Sequence, residues 1–183
     1  MALLVGLDML LFAGWKARLG VLPELLWFCN AASLALVPAL WFEASSAVGM
    51  VLLLRVALGE PSHLYAFAVT GDVEWVSVAA NLPPLLAAWW YLRGRAFPRE
   101  SALWALSFVG GTFLLARLFT PPELNVNLVF RRHGLLARPF PGLWSYRVAA
   151  TLLIATCLGA GQALLSRWLH APSARAEWKE AHP

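Results

Sequence analysis

The sequence predicts an all-α integral membrane protein: a bundle of about five transmembrane helices, a short N-terminal apolar helix, and a re-entrant or extended Asn-x-Asn segment. Three observations predict it. Hydrophobic residues make up 60% of the 183-residue chain and charged residues 13%, with a mean hydropathy of +0.66, where a soluble domain is about a quarter charged. Apolar runs close to the roughly 20 residues needed to cross a hydrocarbon core recur between Pro, Gly and charged breaks. Trp89, Trp90 and Tyr91 precede Arg93, Arg95 and Arg99, the order of an interfacial aromatic belt and its basic flank.

The length fits one unit, with residues 1–171 as a single transmembrane helical domain and 172–183 as a polar tail. The net charge of +4 is spread over loops and tail, with no basic helix interleaved with aromatics. Membrane lipids are therefore the expected partners, and nucleic acid is not. Cys29 and Cys157, the only two cysteines, both sit in apolar surroundings, so neither a disulfide framework nor a metal centre is expected, and no cofactor is implied.

The first apolar stretch, residues 1–14, carries Asp8 and is followed by Lys16 and Arg18. A signal peptide has the reverse charge order, so this stretch is expected to be a retained, partly inserted or interfacial helix. The stretch around which the chain is organised, residues 22–42, is about 21 residues long and reads as one span. Cys29, Asn30 and Ser33 fall in a single wedge of that helix and are expected to face a protein interior or cavity, because lipid offers them no partners. A second span begins near residue 47 and carries Arg55, with Gly59-Glu60-Pro61-Ser62-His63 as a break. Arg55 requires an anionic partner or a route to the interface, and Glu74 is a candidate ion-pair partner for Arg55 or for Arg117.

The third span covers residues 73–92, with Glu74, Ser77 and Asn81 on one face and Pro83-Pro84 expected to bend it. The fourth, residues 101–120, has Gly110-Gly111 for close helix approach and is ended by Pro121-Pro122. Residues 123–130 alternate Asn125 and Asn127 with apolar residues and read as an extended or re-entrant segment. A basic linker with Arg131, Arg132, His133 and Arg138 follows, and the last span covers residues 140–169. Basic residues divide too evenly between the two sides for the positive-inside rule to orient the chain.

Cys29 with Asn30, Arg55, Glu74 with Asn81, and Asn125 with Asn127 are the groups that could meet in a polar cavity. The same groups have a purely structural alternative: buried Asn and Ser bridge transmembrane helices at about 0.6 kcal/mol each, and a buried Cys is commonly an inert small hydrophobe. A nucleophilic Cys29 needs a base, and His63, at the break, is the best placed of the four histidines.

The segments 22–30 (LPELLWFCN), 81–91 (NLPPLLAAWWY), 125–130 (NVNLVF) and 140–146 (FPGLWSY) together resemble the YwaF-type integral membrane proteins. These are related to intramembrane cysteine-dependent phospholipid acyltransferases. The resemblance implies that Cys29, with Asn30, holds the acyl group, and it maps the family's Asn-x-Asn onto Asn125 and Asn127. The family's base histidine falls on Asn81, and an amide cannot take the thiol proton, which leaves His63 as the base. The expectation is an acyltransferase-like action on phospholipid, with Cys29, Asn81 and His63 as catalytic residues. Asn30, Arg55, Asn125 and Asn127 would bind substrate, Arg55 at the phosphate. The alternative is a non-catalytic lipid-binding or scaffold protein with the same polar groups as helix glue. A transporter is set aside, because the two halves carry no inverted repeat. The expected location is the inner (plasma) membrane of a bacterium, with oligomeric state open.

Overall fold

Residues 1–70, 75–128 and 138–170 are described in the computed structural model, and among them every regular element is helical. In chain order these are α1 (Ala2–Arg18), a 3-10 turn (Leu22–Leu26), α2 (Phe28–Trp41), α3 (Ser45–Leu54), a π turn (Arg55–Gly59), α4 (Glu60–Thr70), α5 (Trp75–Leu92), α6 (Ser101–Phe119), a second 3-10 turn (Val126–Leu128) and α7 (Leu143–His170). Two helices are long and apolar enough to cross a membrane, Ser101–Phe119 and Leu143–Leu169. Five were expected, and the shortfall has local causes.

The 22–42 stretch is not one helix. Trp27 adopts φ −53° and ψ 130°, which separates the first 3-10 turn from α2. The remaining 14 residues of α2 reach only about 21 Å. The expected break at 59–63 is helical instead. The Glu60 N–H donates to the Arg55 carbonyl five residues back, and this wider turn accommodates Pro61, which lacks an N–H and whose ring would crowd the carbonyl four residues before it. Residues 45–70 therefore form one helical run, divided by the π turn. α5 starts at Trp75 and stays helical through Pro83 and Pro84. Glu74 lies outside the described residues.

α3 is the centre of the bundle, buried from Val48 to Leu54 and packed against α2, α5, α6 and α7. Its glycine, Gly49, sits where an added Cβ would press on Ser101 Oγ and Pro98. Gly161 of α7 meets Leu53 and Ala57 in the same way, at 2.8 and 3.1 Å. These two, and not Gly110-Gly111, are the close-approach glycines: a Cβ at 110 or 111 would meet nothing within 4 Å. α1 packs Val5, Met9 and Phe12 inward against α2 and α5 and exposes Leu3, Leu4, Leu7, Leu10 and Leu11. Its Lys16 is buried against Glu24 at 2.7 Å and lies over the Trp15 ring.

α6 and α7 also turn large apolar side chains outward, Leu103, Trp104, Leu114, Leu118 and Phe119 on the first and Leu152, Leu153, Leu164 and Trp168 on the second. Only 17% of each candidate span is buried inside the protein. At the far end of α7, Trp168 stacks on Trp89, and Arg93 lies over Trp89 and Trp90. The aromatic-basic belt expected from the sequence is thus assembled from two helices.

Candidate functional site

The polar residues singled out in the sequence fall into two groups, and a cavity lies beside the second. In the first group, Arg55 leaves the π turn fully buried, at 0% exposure. Its Nη1 donates to Asn81 Oδ1 at 2.7 Å, and its Nη2 donates both to the Asn81 carbonyl at 2.8 Å and to Glu60 Oε1 at 2.7 Å. The π turn makes this possible by bringing Glu60, five residues on, to the guanidinium. Glu60 thus supplies an anionic partner for Arg55, while Glu74, the expected one, lies outside the described residues. Nε has no hydrogen-bond partner among the described residues. Asn81, itself 2% exposed, presents its side-chain oxygen and backbone oxygen to one cation. The arrangement joins α3, α4 and α5, and Arg55 lines neither of the cavities described for the protein.

Cys29 stands in the first turn of α2. Its thiol faces Asn30 Oδ1 at 3.7 Å, Asn30 Nδ2 donates to the Glu24 carbonyl at 3.0 Å, and Ser33 Oγ donates to the Cys29 carbonyl at 3.0 Å. Asn30 and Ser33 are buried and Cys29 is half-buried, as expected for a notch turned away from lipid. The charges of Arg55 and Glu60 are near enough to act on the thiol. The sequence-assigned base, His63, lies in α4, and its side chain is outside the described residues.

The Asn-x-Asn segment, expected to be extended or re-entrant, is a tight turn. Asn125 and Asn127 have φ of +44° and +54°, the left-handed region that Asn enters more readily than other non-glycine residues. Val126 between them is fully buried with Ala116, Leu26, Trp27 and Phe113. Asn127 spends its whole amide on backbone. Oδ1 accepts from Phe28 N–H at 2.9 Å, and Nδ2 donates to the carbonyls of Leu26 at 2.8 Å and Thr112 at 3.3 Å. It therefore caps α2 from a hundred residues away and holds the Trp27 break open.

Beside this staple lies a cavity of about 410 Å³. α6 contributes Leu106, Val109, Gly110 and Phe113, and α7 contributes Trp144, Tyr146, Arg147, Ala150, Thr151 and Ile154, all but Tyr146 at the three- and four-residue spacing of one helix face. Trp27, Phe28 and Asn127 close one end. The guanidinium of Arg147 lies over the Phe113 and Trp144 rings at 5.7 and 5.8 Å, and among the described residues it is the one charged group on the wall. Gly110 and Trp144 are exposed, so the cavity opens sideways between the two apolar helices. Its volume and lining are those of a site for a mostly apolar ligand.

Of the residues expected to form a site, the structure joins Arg55 with Asn81 and Cys29 with Asn30, and it places only Asn127 on the cavity wall. Sequence reasoning missed Gly110 as a wall residue and missed Arg147 altogether. The signal for Arg147 was a cation one helical turn after Trp144, followed by a run with no further charge until Arg167. No family model, curated protein or solved structure matches the chain.

Proposed function

We propose that the protein is an integral membrane protein that holds the acyl chain of a membrane lipid in the cavity between α6 and α7. The observation that carries this reading is the cavity itself: an apolar slot that opens laterally between the two helices able to span a bilayer. The outward leucines, tryptophans and phenylalanine of those helices support the membrane location, since such a surface in water would be an aggregation site. In a bilayer the same surface meets lipid, and the slot opens to the acyl chains.

The test uses the open space at Gly110. Gly110→Leu puts a side chain on the cavity wall at a point where a Cβ meets nothing within 4 Å, whereas Gly111→Leu, a hundred degrees around the helix, adds the same bulk off the wall. Both replacements favour the helix by up to about 1 kcal/mol, so folding is preserved. Displacing two or three chain methylenes at about 0.8 kcal/mol each costs roughly 2 kcal/mol, about thirtyfold in affinity. Native mass spectrometry of protein delipidated in detergent is expected to show bound lipid in wild type and Gly111→Leu and its loss in Gly110→Leu. Equal retention in all three would reject the reading.

A second reading, acyl transfer through Cys29, is favoured by one observation: the thiol-bearing residue follows directly on Phe28, a wall residue. In that reaction the Cys29 sulfur forms a thioester with the ester carbonyl of a phospholipid, the ester C–O bond breaks, and the thiol proton ends on the alcohol of the departing lysophospholipid. Incubation with an alkyne-tagged phospholipid is expected to leave hydroxylamine-sensitive label on wild type and none on Cys29→Ser. Lipid bound without label would leave the binding function alone standing.

A further inference from the structure

We propose that the groove between the α5–α6 loop and the end of α7 binds a phosphomonoester, with Arg99 on one side and Arg167 on the other as its guanidinium partners. The proposal is independent of the lipid-binding reading and concerns a second cavity. This groove encloses about 660 Å³ and is lined by Ala96, Phe97, Pro98 and Arg99 from the loop and by Ser166 and Arg167 from α7. Among the described residues the lining holds two cations and no carboxylate, and neither arginine is in an ion pair. Their neighbours in the same basic stretch are engaged by rings, Arg93 over Trp89 and Trp90 and Arg95 over Tyr91. A guanidinium offers a planar fork of donors that matches phosphate oxygens, and two of them on different elements can take different oxygens of one group. A monoester, with a charge of about −1.5 to −2 at neutral pH, balances the pair, whereas a diester balances only one.

Both walls of the groove are fixed by the fold. Trp168 stacks on Trp89 at 6.4 Å, which brings the end of α7 beside the end of α5 and so beside the loop that follows it. Gln162 Nε2 donates to the Pro98 carbonyl at 3.0 Å and to Ser166 Oγ at 3.4 Å, tying a wall residue of the loop to one of α7. Phe97 is buried, and Pro98 lies against α3, where a Cβ on Gly49 would come within 3.1 Å of its ring. The backbone carrying Arg99 is therefore held at Phe97 and Pro98, and that carrying Arg167 at Ser166 and Trp168. Only the two exposed side chains remain to be ordered when an anion binds, which keeps the cost of binding low. A purely structural account, in which a cation complements the C-terminal end of the α7 dipole, covers Arg167 alone. It gives no reason for a second cation to line the same groove, where the two repel until an anion sits between them.

The experiment measures binding of two probes that share the phosphate, glycerol 3-phosphate to the delipidated full chain in detergent and phosphatidic acid to the full chain in phosphatidylcholine nanodiscs. Glycerol and diacylglycerol, which lack the phosphate, are the matched controls. Two charge-assisted contacts, discounted for exposure, predict that wild type binds a phosphate probe roughly tenfold more tightly than its control. Binding of glycerol 3-phosphate would identify a soluble ligand, and binding of phosphatidic acid alone would identify a lipid headgroup. Arg99→Gln and Arg167→Gln should each reduce the preference roughly threefold, and the double variant should abolish it. Arg95→Gln removes the same charge a few residues from the groove and should leave the preference intact. All three side chains are exposed, so each variant should melt close to wild type. No preference for either phosphate probe in wild type, a comparison that needs no variant, would overturn the proposal, as would a preference that survives in the double variant. Equal losses in all three single variants would overturn it too, because they mark attraction by net charge alone. None of these outcomes bears on Gly110→Leu, so this proposal and the acyl-chain reading fail separately.

Discussion

Replacing Arg55 by methionine is expected to lower the melting temperature of the detergent-solubilised protein by roughly 10 °C, from a loss of about 3–5 kcal/mol. The loss comes from what is left behind. Asn81 Oδ1 and the Asn81 carbonyl, which accept from the guanidinium at 2.7 and 2.8 Å, would lose that donor in the interior, and a buried acceptor deprived of a partner bears a desolvation cost. Glu60 is partly exposed and can turn to water, so its ion pair contributes the smaller share. Arg55→Met with Asn81→Leu should therefore recover much of the loss, because apolar groups of similar volume replace a satisfied polar pair at little net cost. Arg55→Met with Glu60→Gln should recover less. A fall of only a degree or two in the single variant would mean that the Asn81 oxygens find water, and that the interior around the π turn is wetter than its packing indicates.

How far the chain could be read in advance follows from the range of the interactions that decide each element. α6 was readable almost to the residue, because its ends are set locally: an apolar run starts at Ser101, and Pro121-Pro122 force Thr120 into extended geometry at φ −115° and ψ 146°. α7 was readable for the same reason, as was the inward-facing notch of Asn30 and Ser33. The break at Trp27 was not. It is held by Asn127, and no local pattern in an apolar run announces a cap from another part of the chain. The π turn was hidden as well. Glycine and proline at 59–61 signal a break, and the chain resolved the same conflict by widening one turn, which also brought Glu60 to Arg55.

The site was less legible than the fold, because its wall is made of ordinary span residues. Leu106, Val109 and Phe113 are what any transmembrane helix would carry, and Gly110 reads as a packing glycine until the helix it faces proves to stand off. Polar residues attracted notice as candidate chemistry. Two of them, Arg55 and Asn81, turned out to satisfy each other, and a third, Asn127, shapes the cavity through the backbone it holds. A polar residue on the wall that the sequence did not single out was Arg147.

That role for Asn127 leads to the second large effect. Asn127→Ala is expected to destabilise the protein by about 2–4 kcal/mol, the sum of its backbone hydrogen bonds at about 1 kcal/mol each and the added strain of alanine at φ +54°. Asn127→Gly loses the same hydrogen bonds and tolerates the left-handed backbone, so it should be the milder change by about 1 kcal/mol. The difference between the two, read as melting temperature in one detergent, isolates the conformational part from the bonding part. Lipid retention provides the second readout. The Leu26 carbonyl and the Phe28 N–H are the groups on either side of the Trp27 break, and Trp27 and Phe28 close the end of the cavity. Once their anchor is gone, both variants should hold lipid less tightly than wild type by a similar factor, although their stabilities differ. If lipid retention instead follows stability, falling in alanine and returning in glycine, the cavity end is held by the turn's conformation and not by the amide. If neither variant loses stability, Asn127 is not the staple that its hydrogen bonds describe.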